Sequence, residues 1–227
     1  MNRNDRRRWH AARTLTHLGE LTALWLEGHL TSHPGYHTGR GPDPETEPLV
    51  PVLARLNRAG YLTTASQPGL PPTPGYDGRL WHQRAAVEGI TDDTTLHRLT
   101  HAIAGTDLLL ISHRTQVPPR WHRWLPFCWP LRPPLGDGAI PVTATTHGHD
   151  HTWFGGPMTY TDLELCLAEV SDHAFQAILT AWQVSILDPH WGRQHHLWDV
   201  LTERFLTHPT TTLREVTHPD RTERTSR

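Results

Sequence analysis

The first part of the chain has hydrophobic residues at the three- and four-residue spacing of an amphipathic helix. Over residues 9–30 the positions on this face are Ala11, Leu15, Leu18, Thr22 and Trp25. A second helix is predicted over 51–60, because Pro51 suits a first helical turn and Gly60 suits a helix end. Further helices are predicted over residues 96–103, 171–181 and 197–205.

Short runs rich in Thr, Val, Ile and Leu predict β-strands between these helices. The predicted strands cover residues 61–66, 87–90, 108–112, 139–145, 163–167 and 184–187. The strand at 163–167 rests on alternation, since Leu163, Leu165 and Leu167 would share one face. A helix separates the strands at 87–90 and 108–112, which is the order found in a β-α-β unit.

These elements predict a single α/β domain over residues 9–206, with an α+β arrangement as the alternative. We expect a mixed β-sheet of about five to six strands covered by helices. A chain of 227 residues is long enough for one sizeable hydrophobic core. Residues 1–8 and 207–227 are polar and charged, so flexible termini are predicted there.

Composition excludes several classes of function. The net charge of −2 provides no general attraction to nucleic acid or to an anionic membrane. All basic residues apart from His are Arg, so neither a Schiff-base lysine nor a phosphate-binding P-loop lysine exists in this chain. Cys128 and Cys166 are too few for a disulfide framework or a thiolate zinc site. No secretion signal or membrane-length apolar run is visible, so a cytoplasmic location without membrane contact is expected.

Several short motifs together resemble one known family. They are Leu18-Gly19-Glu20-Leu21-Thr22, Trp25-Leu26-Glu27-Gly28, Leu56-Asn57-Arg58-Ala59-Gly60, Ser66-Gln67-Pro68-Gly69, Gln83-Arg84-Ala85-Ala86-Val87-Glu88-Gly89 and Asp188 to Arg193. The chain resembles an uncharacterised domain family of actinobacteria over nearly all of the predicted fold. Because that family has no assigned activity, the resemblance implies one domain in a cytoplasmic setting and carries over no catalytic residue.

Polar side chains gather where predicted strands end, which is where open α/β sheets tend to bind ligands. The predicted pocket consists of Ser66, Gln67, Gln83, Arg84, Glu88 and Asp188, with the loop 67–82 as its lid. Arg84 would hold an anionic group, Gln67 and Gln83 would orient an amide, and Glu88 would position Arg84. In the competing interpretation these side chains only anchor the loop. The leading hypothesis is a domain that binds a small anionic or amide-bearing ligand, or that serves as an interaction domain.

Two other functions are considered. His147, His149 and His151 would share one face of a strand and, with Asp188, could serve a metal-assisted hydrolase. The 19 histidines of the chain make such a local cluster less significant. The Trp/Pro-rich segment 117–135 could present a protein-interaction surface, whereas the net charge argues against nucleic acid. No catalytic motif is present, so enzymatic activity and any cofactor stay open.

Overall fold

The computed structural model describes residues 1–36, 41–115, 138–167 and 169–207. The α-helices in these ranges are α1 (Arg3–Ala11), α2 (Leu15–Leu26), α3 (Val50–Arg58), α4 (Asp93–Ile103), α5 (Tyr160–Cys166), α6 (Asp172–Thr180) and α7 (His196–Val200). A 3-10 helix covers Pro44–Leu49, and a π-helical turn covers Leu201–Phe205. The strands are β1 (Leu62–Pro68), β2 (Thr73–Pro74), β3 (Leu80–Thr91), β4 (Leu109–Arg114), β5 (Ile140–Thr145), β6 (Asp150–Phe154) and β7 (Trp182–Trp191).

Strand β3 organises the sheet, whose order is β4-β7-β3-β5-β6, with β1 and β2 also paired to β3. The first residues of β3, Trp81 to Gln83, pair with β5. From Arg84 onward β3 pairs with β7 on one side, and β1 occupies the other side. The pairing with β7 shifts register between Arg84 and Ala86, as it does at a β-bulge. One long strand therefore connects both parts of the sheet.

The predicted combination of helices and a sheet is confirmed, and two details of the sheet are corrected. It has seven strands rather than five to six, and every strand pair in the described ranges is antiparallel rather than mixed. The predicted β-α-β unit exists as β3-α4-β4, but β7 lies between its two strands and pairs with both. This split arrangement depends on a strand far along the chain, which local patterns do not reveal.

Residues 163–167 were predicted as a strand, and this prediction is wrong because they belong mainly to helix α5. The helix begins with a capping box in which Thr159 and Asp162 bond each other's backbone N–H groups. Leu163 and Leu167 are buried, whereas Leu165 is 72% exposed. Burial at positions four apart is the helical pattern, so the alternation of leucines was misleading.

The N-terminal residues 1–8, predicted as a flexible terminus, form most of helix α1 instead. Asp5 is buried and accepts hydrogen bonds from the backbone N of Thr31 at 3.0 Å and from its Oγ1 at 3.0 Å. Trp9 is only 1% exposed and belongs to the main core. Tertiary contacts therefore order a segment whose composition looks disordered. At the other end, residues 208–227 lie outside the described ranges.

The close contact between α2 and α3 builds one wall of the site described below. Gly19 of α2 faces the backbone of α3 so closely that a Cβ there would lie 2.4 Å from the Asn57 carbonyl oxygen. Asn57 is buried, and its amide donates to the oxygen of Leu53 at 2.9 Å and to Thr63 Oγ1 at 2.7 Å. Its Oδ1 accepts from the backbone N of Thr63 at 3.0 Å. The two helices and the start of β1 therefore form one fixed unit.

Candidate functional site

The six residues predicted to form one pocket are divided among separate places. Ser66 and Gln67 of β1 line a cavity on the helical side of that strand, and Gln83 contacts a residue of the same cavity. Arg84, Glu88 and Asp188 are engaged in other contacts. The structure thus brings together half of the predicted set.

Arg84 connects two strands through backbone carbonyl groups. Its Nε donates to the oxygen of Pro189 at 3.0 Å, and its Nη1 donates to the oxygen of Pro141 at 2.7 Å. The guanidinium carbon lies 4.1 Å from the centre of the Trp191 ring. Burial lowers the pKa of Arg84. These contacts indicate a structural clamp, and Glu88 is not among the groups that position it.

Glu88 is a partly buried carboxyl group of β3 that contacts the segment directly after β6. Its Oε1 accepts from the backbone N of Gly155 at 2.8 Å and from Ser185 Oγ at 2.7 Å. Burial raises the pKa of Glu88, although both hydrogen bonds oppose that shift. The cavity beside it has a volume of about 10 Å³, roughly the space of a single water molecule. Such a space is too small for an organic ligand.

The raised pKa of Glu88 predicts a pH-dependent stability. Because the folded-state pKa lies above the unfolded value of about 4.3, the folded state binds more protons between the two values. Stability should therefore fall as the pH rises from about 4.3 through the folded-state pKa. Glu88→Gln retains an oxygen acceptor for Gly155 and Ser185 but does not titrate. Urea unfolding from pH 4 to 8 should show the wild type losing stability relative to this variant.

The control for this experiment is Glu164→Gln, because Glu164 is an exposed residue of α5. Its stability should follow that of the wild type at every pH. If the wild type and Glu88→Gln give parallel profiles across the whole range, the assignment of Glu88 as a buried titrating group is wrong.

Asp188 is fully buried at the end of β7 and serves an ion-pair network. Its carboxylate accepts from Arg193 Nε at 2.5 Å and Nη2 at 2.8 Å, and from the backbone N of His190 at 2.9 Å. Arg193 also donates to Asp107 at 2.8 Å, and this hydrogen bond lowers the pKa of Asp107 to about 2. The network holds the turn after β7, so Asp188 has a structural role here.

The histidines considered for a metal site do not converge. His147 and His149 flank Gly148 in the turn between β5 and β6, while the ring of His151 lies 4.4 Å from that of Trp81. Within the described ranges, no three His, Cys, Asp or Glu side chains are close enough to hold one metal ion. The Trp/Pro-rich segment 117–135 lies outside the described residues. The structure therefore adds no support for the hydrolase or interaction-module hypotheses.

A cavity of about 170 Å³ lies between α2, the 3-10 helix and β1. We call it the α2–β1 cavity. Its polar and aromatic lining includes Thr22, Trp25, His33, Tyr36, Asp43, Glu45, Thr63, Thr64, Ser66 and Gln67. Helix α2 contributes one wall because its inner face packs on α3 and β1. The edge strand β1 contributes the opposite wall.

Three polar atoms of this lining are buried without a hydrogen-bond partner among the described residues. They are Thr22 Oγ1, Trp25 Nε1 and Gln67 Oε1. Thr22 and Trp25 are 2% and 3% exposed, so bulk solvent does not satisfy them. Buried polar groups in native proteins are nearly always paired with protein, water or ligand. Three unpaired groups around a single cavity make it the candidate functional site among the described residues.

Aromatic rings form an uncharged side of the cavity. The ring of Trp25 lies 4.5 Å from that of Tyr36 and 4.8 Å from that of His33. The ring of Trp9 encloses His33 from behind, at 4.9 Å. Burial lowers the pKa of His33 to about 3, so its imidazole is neutral at physiological pH. Burial, reinforced by the charge of Asp43, raises the pKa of the Tyr36 hydroxyl and keeps it protonated.

Two carboxylates supply the charge of the lining. Glu45 Oε2 accepts a hydrogen bond of 3.1 Å from Nε2 of Gln83, which is itself 8% exposed. Asp43 precedes the 3-10 helix, and its side chain makes no capping hydrogen bond there. No Arg is among the described lining residues. The cavity therefore combines neutral hydrogen-bonding groups with negative charge.

Of the residues predicted from the sequence, Ser66 and Gln67 line the cavity and Gln83 contacts Glu45, whereas the residues of the other wall were not predicted. Thr22 and Trp25 were assigned only to the buried face of a helix. Asp43 and Glu45 lie in a segment that reads as a turn-rich connector. The signal that could have indicated this wall was a Thr and a Trp on the buried face of a helix. Each carries a polar atom that needs a hydrogen-bond partner when it is buried.

The fold and cavity define a helix-and-antiparallel-sheet domain with a small polar site beside an edge strand. The chain belongs to the family described as Domain of unknown function (DUF6919), whose model matches residues 4–120 and 132–208. The predicted membership of an uncharacterised family is thereby confirmed. No curated protein matches the chain. In the ranges that the structure describes, every helix falls short of the length and hydrophobicity needed to cross a membrane.

Proposed function

We propose that this protein binds a small molecule in the α2–β1 cavity. The observation that carries the proposal is the cluster of unpaired buried atoms, Thr22 Oγ1, Trp25 Nε1 and Gln67 Oε1, around that one space. An unsatisfied buried polar group destabilises a protein by roughly 1–3 kcal/mol. Placing three of them together is costly unless a bound molecule supplies the missing partners.

The dimensions of the cavity limit the ligand. Its volume of about 170 Å³ is well below the roughly 300–1,000 Å³ of pockets that hold drug-sized molecules. A small metabolite fits this description, whereas a nucleotide or peptide does not.

The chemistry of the lining favours binding over turnover. A general base works best when its pKa is near the operating pH, and His33 is held at about 3 by burial. The hydroxyl of Thr22 has no hydrogen-bond partner among the described residues. Without a base to activate it, this hydroxyl serves as a hydrogen-bonding group.

The proposal is tested with Trp25→Phe, which removes Nε1 and keeps a smaller aromatic ring at this position. A panel of small metabolites is screened by thermal shift against the wild type and the variant. We expect at least one compound to raise the Tm of the wild type. Losing one hydrogen bond should weaken its affinity for the variant about three- to tenfold. The matched control is Trp153→Phe in β6, whose affinity should equal that of the wild type.

Thr22→Val provides a second readout in the absence of ligand. Because Oγ1 of Thr22 is unpaired, its replacement by a methyl group should leave the free energy of unfolding unchanged or raise it slightly. A loss above about 1 kcal/mol would show that this hydroxyl has a partner within the protein. That result, or a panel in which no compound stabilises the wild type, would overturn the proposed function.

A further inference from the structure

We propose that the ligand of the α2–β1 cavity is a small organic cation that also carries a hydrogen-bond acceptor. This inference rests on the proposed function and specifies the chemical class that the site would select. Three properties of the lining carry it: the sign of its charge, the aromatic ring pair and the direction in which each unpaired atom can bond.

The charge of the described lining is negative. Asp43 and Glu45, which are both exposed residues, contribute carboxylates, and the imidazole of His33 is neutral. Among the described residues, Glu45 receives one hydrogen bond, from the neutral amide of Gln83, and forms no ion pair with a basic side chain. A cation would therefore gain attraction from both carboxylates, whereas an anion would meet repulsion.

The aromatic rings of Trp25 and Tyr36 also favour a positively charged ligand. The rings of Trp25 and Tyr36 lie 4.5 Å apart, with their planes inclined by 42°. The face of an aromatic ring carries negative potential and attracts an ammonium group, and Trp does so most strongly. Tyr36 is 38% exposed, so it stands near the opening, while Trp25 lies deep inside. A cation bound in the cavity would therefore lie near these rings.

The unpaired atoms require a ligand that both donates and accepts. Trp25 Nε1 can only donate a hydrogen bond, so it needs an oxygen or another acceptor on the ligand. Gln67 Oε1 can only accept, so it needs an N–H or O–H group. Thr22 Oγ1 can do either. An amino alcohol satisfies these requirements, and its bulk is compatible with the volume of the cavity.

The test uses ¹⁵N-labelled full-length protein and follows the indole N–H signal of Trp25 by NMR. That signal is assigned by its loss in Trp25→Phe, and the signal of Trp153 is assigned in the same way as an internal reference. Ethanolamine is the cationic probe, acetamide the neutral probe and acetate the anionic probe, at one pH and ionic strength. We expect ethanolamine to shift the Trp25 signal saturably, acetamide to bind at least tenfold more weakly, acetate to have no effect and Trp153 to stay unchanged.

A variant without the two carboxylates tests whether their charge causes the preference for a cation. Asp43→Asn combined with Glu45→Gln keeps the shape and the Gln83 contact but removes both charges. Its affinity for ethanolamine should fall at least tenfold, whereas Glu164→Gln on α5 should bind as the wild type does. Equal or tighter binding of acetate or acetamide at Trp25 would overturn the cation inference while supporting the proposed function. If no probe shifts Trp25, the cation inference fails, and the metabolite screen decides the proposed function separately.

Discussion

Gly89→Ala is expected to destabilise the protein by about 3 kcal/mol or more, the upper end of what overpacking a core causes. A Cβ on Gly89 would lie 2.5 Å from the Leu62 carbonyl oxygen and 2.7 Å from Cε2 of Tyr61. Neither can move easily, because Leu62 belongs to β1 and the buried Tyr61 hydroxyl donates to the oxygen of Val184 at 2.8 Å. For a chain of this length the Tm should fall by roughly 6–12 °C.

The matched control is Gly156→Ala, which adds the same methyl group where there is room. The nearest atom to that Cβ would be Cβ of Ala139, at an ordinary contact distance of 3.7 Å. We expect the free energy of unfolding to change by less than about 0.5 kcal/mol, or to rise slightly through restriction of the unfolded chain. Thermal and urea unfolding of both variants provides the comparison. Similar losses for the two glycines would refute the close-packing argument for Gly89.

Arg193→Met is expected to cost about 3 kcal/mol, because it leaves the buried Asp188 carboxylate without its partner. Asp188 is 0% exposed, and Arg193 supplies two of its hydrogen bonds. We place the value at the low end of the range for buried pairs because the Arg193 side chain is 34% exposed. Adding Asp188→Asn should recover at least about 1 kcal/mol of this loss in a double-mutant cycle.

Arg58→Met is the control for Arg193→Met. Arg58 also bonds two carboxylates, those of Glu20 and Glu27, but both lie at the surface. Its loss should therefore cost less than about 1 kcal/mol, as for exposed ion pairs. Urea unfolding at neutral pH measures both variants. Equal losses for Arg58→Met and Arg193→Met would contradict a buried-charge role for Asp188.

The elements that follow from local chemistry were predictable. Helix α4 could be recognised because hydrophobic residues recur at helical spacing, and Asp92 caps its first turn. Strands β4 and β7 could be recognised as short β-branched and aliphatic runs. The strand predicted over residues 163–167 was wrong, because five residues are too few to distinguish the alternation of a strand from the spacing of a helix. The start of helix α1 was not predicted, because Asp5 and Trp9 are held by residues far along the chain.

The site was predictable only in part, for a similar reason. Ser66 and Gln67 could be placed at the end of a strand that borders the α2–β1 cavity. The role of Arg84 depends on carbonyl groups of Pro141 and Pro189, which are remote in sequence. Asp188 meets Arg193 within a few residues, yet its complete burial comes from the surrounding fold. Whether a side chain is already engaged within the protein thus depends on the tertiary structure, even where its position in a strand follows from the local sequence.

By itself, the sequence determined the main helices, most strands, the family and the approximate positions of β1 and β3 along the chain. These follow from residue spacing and turn chemistry, which act over a few residues. Only the tertiary structure decided that β7 enters between β3 and β4, and that Thr22, Trp25, Asp43 and Glu45 meet β1 around one cavity. The reason is physical: a cavity is what remains between elements once they have packed, and packing joins residues that share no local pattern.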